Sequence, residues 1–200
     1  YTAITNMVNL HKTAMILGAD DFERRVGPDG KEEYDFFNSA FMIQSDGRLA
    51  LPAYRKRQLV IFGEYIPFEK WLPFMKYLTP IPGSFTPGRA PVWFQLPGHR
   101  PTMAPLICFE DAFPHLCRQH VTEETGLMLN LTNDGWFSES AAQWQHMANA
   151  VFRAVENGVP LVRSSNNGIT CWIDHQGRVH DIYGAPDGGV YGRGFALMTL

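Results

Sequence analysis

The strongest chemical feature of the chain is a cysteine at the end of an apolar run, Pro105-Leu106-Ile107-Cys108-Phe109-Glu110. The run reads as a strand that delivers Cys108 at its C-terminal end, with a helix starting a few residues later. A helix N-terminus and free backbone N–H groups at such a place lower a thiol's pKa and hold an oxyanion. The segment alone reads equally well as a small buried hydrophobe. Cys117, inside the following helix, and Cys171, beside Trp172, read as core.

A second cluster is Lys56, which precedes the run Leu59-Val60-Ile61-Phe62-Gly63-Glu64. A lysine beside a thiolate stabilises the anion and then a tetrahedral oxyanion, and Glu64 could orient it. Without a partner motif, a solvated basic loop and a surface carboxylate is the better reading. A third cluster, Asn133-Asp134-Gly135-Trp136-Phe137, follows an apolar strand and has the composition of a loop at a pocket rim. Asn166, in Arg163-Ser164-Ser165-Asn166-Asn167-Gly168, marks a second such loop. His146 shares a helix face with Arg153 and Glu156. A structural histidine and an Arg153–Glu156 pair are the preferred readings there.

These residues need elements to hold them. Tyr1–His11 reads as the end of a helix, and Thr13–Ala19 as a short buried strand closed by Asp20-Asp21. Phe22–Tyr34 reads as loop. Asn38–Gln44 and a strand from Leu49 flank the turn Ser45-Asp46-Gly47. A helix is expected over Pro67–Leu78, loop over Pro80–Pro91, and strands over Val92–Leu96, Ala104–Cys108 and Leu127–Leu131. Phe113–His120 reads as a helix with Pro114 in its first turn. Ser138–Asn157 is a longer helix, capped by Ser138 or Ser140 and stopped by Gly158. Leu161–Arg163, a hairpin Ile169–Asp174/Val179–Tyr183, and Phe195–Leu200 complete the strands. Strands alternating with helices, plus antiparallel hairpins, imply an α/β layered sandwich with a mixed sheet.

The 200 residues fit one domain, and 45% hydrophobic with 18% charged residues supports a real core. A net charge of −3 without a basic stripe gives no reason to expect a nucleic-acid partner. Three cysteines make no disulfide framework and lack zinc spacing, so no metal or cofactor is expected. No apolar run reaches the ~18–20 residues that span a bilayer, and no signal peptide opens the chain. Tyr1 reads as falling inside a helix, so the sequence is expected to be a piece of a longer chain.

Taken in order, Lys56, the Phe62-Gly63-Glu64-Tyr65 string, Cys108-Phe109-Glu110, Asn133-Asp134-Gly135-Trp136-Phe137, Gln145-His146 and Asn166-Asn167-Gly168 resemble the apolipoprotein N-acyltransferase branch of the nitrilase superfamily. The resemblance covers nearly the whole chain. It implies a nitrilase-like αββα sandwich, N-terminally incomplete, spanning residues 1–200. It also implies a catalytic set of Cys108 (nucleophile), Lys56 and Glu64. Phe109 then supplies an oxyanion-holding N–H, and Glu110, Asn133, Trp136 and Asn166 serve the oxyanion or substrate. The family's general-base glutamate and transmembrane helices precede Tyr1, so little or no turnover is expected from these 200 residues alone. The implied partners are a phospholipid acyl donor, an apolipoprotein acceptor and the membrane, at the periplasmic face of the bacterial inner membrane. A soluble carbon–nitrogen hydrolase and a non-catalytic binding module are the alternatives.

Overall fold

A computed structural model describes residues 2–68, 71, 74, 81, 83–184, 189–192 and 194–199. The chain folds as two sheets with helices outside them. Helix α1 (Thr2–His11) leads into an antiparallel sheet of β1 (Met15–Val26), β2 (Glu32–Ile43) and β3 (Leu49–Arg55). The second sheet orders β4 (Phe94–Gln95), β5 (Thr102–Ile107), β6 (Thr125–Asn133), β7 (Leu161–Asn166), β8 (Cys171–Ile173) and β9 (Val179–His180). β5, β6 and β7 run parallel and their neighbours antiparallel, so this sheet is mixed. Helices α2 (Pro114–His120) and α3 (Ala142–Asn157) cover it.

Two apolar layers hold the sandwich. Between the sheets pack Ala40, Met42, Tyr54, Phe94 and Ile107, with Ile16 and Leu131 against them. Between the mixed sheet and α3 pack Met128, Ala150, Ala154, Leu161, Ile169, Cys171 and Ile173. Each fully buried Leu, Ile, Met or Phe among them contributes about 1.5–3 kcal/mol. On α3 the buried positions Gln143, His146, Met147, Ala150, Arg153 and Ala154 recur at helical spacing, which fixes one inward face. Gly158 ends α3 with φ 66°, the left-handed cap that glycine takes without strain.

Local signals fared well where a turn decides the chain's course. Gly47 has φ 84° in the β2–β3 turn. The expected serine cap is not formed: Ala141 holds the N-cap position with no side-chain cap and the helix starts at Ala142, although Ser140 Oγ accepts from the Ala142 N–H at 3.3 Å. Three further expectations fail. Of the expected buried strand Thr13–Ala19, Met15–Ala19 is strand, but it runs on through Asp20-Asp21 to Val26 and has no fully buried residue. Phe22–Tyr34, expected as loop, forms the outer half of a long β1–β2 arm. Its ladder is stabilised across the strands, by Arg24–Glu32 (2.7 Å), by Arg25 with Glu33 and Asp35, and by an edge-on Phe22–Tyr34 contact. Charge pairs replaced the alternating apolar pattern that marks a half-buried strand. Finally, residues 195–199 form no strand. The helix expected over Pro67–Leu78 lies largely outside the described residues, as does Leu200.

Candidate active site

Three parallel strands end together. β5 runs into Cys108, β6 ends at Asn133, and β7 ends at Asn166, paired in register with Asn133. Loops leaving the carboxyl ends of parallel strands form a natural crevice. From the facing sheet, β3 hands the chain to Lys56, whose backbone N–H donates to the Asn38 carbonyl at 2.8 Å. These elements enclose a cavity of about 1310 Å³. Lys56, Glu64, Cys108, Phe109, Asn133, Trp136 and Asn166 all line it, with Ile61, Phe62, Phe85 and Phe137 adding apolar wall. Glu110 does not line it.

Cys108 opens a five-residue 3-10 turn, Cys108–Ala112, and itself adopts φ 53°. A side-chain-bearing residue in this left-handed region carries strain of order 1–3 kcal/mol, kept only where surroundings enforce it. The Cys108 sulfur lies 3.9 Å from the Asn133 carbonyl oxygen. The resemblance and the strand end both suggested an acidified thiol. Instead burial pushes the Cys108 thiol above its ordinary value, Lys56 pulls it back only in part, and Asp134 adds to the rise. Burial thus favours the protonated thiol over the thiolate here.

Lys56 is almost fully buried, at 1% exposure, and its Nζ lies 2.7 Å from Glu64 Oε2 and 2.8 Å from Oε1. Glu64 is held further by the Asn38 side-chain amide and the Val60 N–H, both at 2.8 Å. Glu64 thus orients the lysine. With both oxygens engaged it is a poor proton acceptor for the thiol.

Glu110 is fully buried and serves as a staple. Its carboxylate accepts from Tyr54 Oη (2.8 and 2.9 Å) and from the N–H groups of Arg57 (2.7 Å), Gln58 (3.0 Å) and Ile107 (2.8 Å). It ties the turn after Lys56 to the residue before Cys108. Burial raises its pKa even against these donors.

A second buried network lies on the other side of Cys108. Asp111, from the Cys108 turn, and Asp134, from the rim loop, are bridged by His146 and Arg163. The Cys108 sulfur, an Asp134 oxygen and a His146 ring nitrogen fall within 4.8 Å of one another. That spacing would suit a metal ion, but the carboxylates and both ring nitrogens are already engaged with each other and with Arg163. The donor set fits an internal ion network and not a metal cage.

Sequence reasoning grouped Arg163 with a pocket loop, whereas it is fully buried, and only Ser164, Ser165 and Asn166 of that string reach the cavity. Tyr54 and Asp111 were missed. No local pattern marks them, since their partners come from distant elements.

The carbon-nitrogen hydrolase family profile matches residues 1–185. The chain belongs to the carbon-nitrogen hydrolase family. That places it in the nitrilase superfamily. Among curated relatives, the apolipoprotein N-acyltransferase of Geobacter metallireducens is 42% identical over 168 residues, covering 84% of this chain and 31% of that protein. Its namesake in Rhodopseudomonas palustris is 40% identical over 154 residues, covering 76% and 28%. The chain thus spans under a third of the length of these relatives. An amidase from Nesterenkonia sp. AN1 shares the fold, with a TM-score of 0.61 at 21% identity over 95% of this chain and 64% of that one. In the described residues no helix is long and apolar enough to cross a membrane.

Proposed function

We propose that this domain moves an acyl chain from a membrane phospholipid, through a thioester on Cys108, to the α-amine of an apolipoprotein's N-terminal S-diacylglyceryl cysteine. The observation that carries the reading is a cysteine on a left-handed turn that opens, with Lys56 beside it, into a large cavity walled by aromatic and aliphatic side chains. The names of the curated relatives point the same way.

The steps follow from the groups present. A base takes the thiol proton, and the sulfur attacks the ester carbonyl. Lys56 and the Phe109 N–H hold the resulting oxyanion. The ester C–O bond breaks, and the lysophospholipid leaves with the proton. The amine then attacks the thioester, gives up a proton to the base, and the C–S bond breaks to restore the thiol. We assign the base to a glutamate preceding Tyr1, as the resemblance implies, so the 200 residues alone turn over little. Trp136 and Phe137 meet the acyl chain, and Asn133 and Asn166 face the polar part of the substrate. Transmembrane helices outside this chain hold the parent protein at the periplasmic face of the inner membrane.

The test is to incubate the full-length protein with phospholipid and no acceptor, digest it and weigh the peptides. One acyl chain on the Cys108 peptide is expected. An acyl chain on Cys117, or on no cysteine, refutes the reading, and release of free acid or ammonia from amides instead points to a hydrolase.

A further inference from the structure

The two ring nitrogens of His146 join the Cys108 turn to the cavity rim. Its Nε2 is 3.1 Å from Asp111 Oδ1 and its Nδ1 is 2.7 Å from Asp134 Oδ1. A carboxylate oxygen only accepts, so both ring nitrogens must donate, and a ring with two N–H groups is an imidazolium. Arg163 Nη2 also approaches Nδ1, at 2.9 Å. Nη2 donates one hydrogen to Asp134 Oδ2 at 2.8 Å and has a second, but an Nδ1 left unprotonated to accept it would set two lone pairs against each other across the shorter 2.7 Å contact with Asp134 Oδ1. Two carboxylates are thus matched by two cations in the interior, where an unmatched charge is costly.

We propose that His146 is a positioning residue that, as an imidazolium, holds the negative charge of Asp134 off the Cys108 sulfur while clamping the rim loop to the nucleophile turn. The groups facing the sulfur are Lys56, Asp134, His146, the Phe109 N–H and the Asn133 carbonyl. Those facing His146 are Asp111, Asp134 and Arg163, while Arg153 of its own helix donates to the Asp111 carbonyl at 2.9 Å. Take away the imidazolium and the network becomes net negative directly beside the sulfur, which disfavours a second anion there. The hydrogen bonds to Asp111 and Asp134 outweigh burial and raise His146 to about 9, in keeping with the geometry.

The inference rests on Cys108 being the nucleophile, but its test needs no acyl donor. Alkylation of Cys108 by iodoacetamide is followed in the full-length protein across the neutral and alkaline range, by peptide mass. His146→Gln should slow alkylation at neutral pH by about tenfold, equivalent to one pH unit on the thiol. Adding Asp134→Asn should restore the rate to within about threefold of wild type, because the two neighbouring sites interact. Asp134→Asn alone should speed alkylation, and this arm decides the matter if His146→Gln does not fold. A folded His146→Gln protein with the wild-type profile overturns the proposal, as does Asp134→Asn slowing the reaction. Failure of the thioester test with these shifts intact sinks only the acyl-transfer reading.

Discussion

Beneath the Lys56 turn, one carboxylate gathers neutral donors: Glu110 accepts from Tyr54 and three backbone N–H groups. On the far side of Cys108, Asp111 and Asp134 are matched by His146 and Arg163. Both networks brace the same five-residue turn, one against the cation-bearing loop and one against the cavity rim. The difference shows in their histidines. Burial, with Arg57 nearby, lowers His120 beside the first network to about 4. In the second, two carboxylates overcome burial and raise His146 to about 9. His120 has no carboxylate partner to offset its burial, whereas the charge-matched clamp gives His146 two.

The hardest way to break the comparison is Arg163→Met. The substitution keeps the volume but leaves two carboxylates against one cation in a site with no solvent exposure. Removing one partner of such a buried pair costs about 3–5 kcal/mol. Urea melts should show a loss of that size, and a loss below about 1 kcal/mol would mean that charge matching does not hold the clamp. The next effect is in pH. His146 rises from 6.5 to about 9 on folding, so its contribution is full below 6.5 and is lost as pH climbs through about 9. The amount at stake is about 3 kcal/mol. His120 falls from 6.5 to about 4, so its neutral form supports the fold above 6.5 and that support is lost as pH falls toward about 4. Melting temperature against pH should therefore decline on both sides of a maximum near neutrality. His146→Gln should flatten only the alkaline side, and an alkaline limb that survives the substitution refutes the assignment.

How legible all this was depends on the distance over which each feature is decided. The Gly47 turn, the Gly158 helix stop and the strand that leads into Cys108 are set by neighbouring residues, and could be read along the chain. The outer half of the β1–β2 arm could not, because its ladder depends on pairs such as Arg24 with Glu32 that only the register brings together. The residues around the cavity stand in recognisable strings. What they do depends on partners the strings do not contain. The resemblance implied a substrate-site role for Glu110, and Tyr54, 56 residues away, is what makes it a staple. The expected acidic thiol failed for the same reason: a motif shows that a helix or a lysine is near, but burial, which dominates here, belongs to the folded whole.

Glu110→Gln is the finest probe of the staple, since it removes charge and one acceptor while keeping shape. Oε1 serves the Arg57 and Gln58 N–H groups and Oε2 serves Ile107, with Tyr54 touching both. The carboxamide will keep its oxygen toward Arg57 and Gln58, because that orientation retains two backbone bonds and sacrifices one. Its NH2 then meets the Ile107 N–H, donor against donor, while the Tyr54 hydroxyl can rotate to accept. One buried N–H left unpaired costs about 1–3 kcal/mol. The loss falls on the residue directly before Cys108, so the Cys108 turn should loosen more than the Lys56 loop. Hydrogen exchange should show faster exchange at Ile107 than at Arg57 and Gln58. Equal protection at all three, or the reverse order, would mean that Glu110 does not join the two sides in the way its contacts describe.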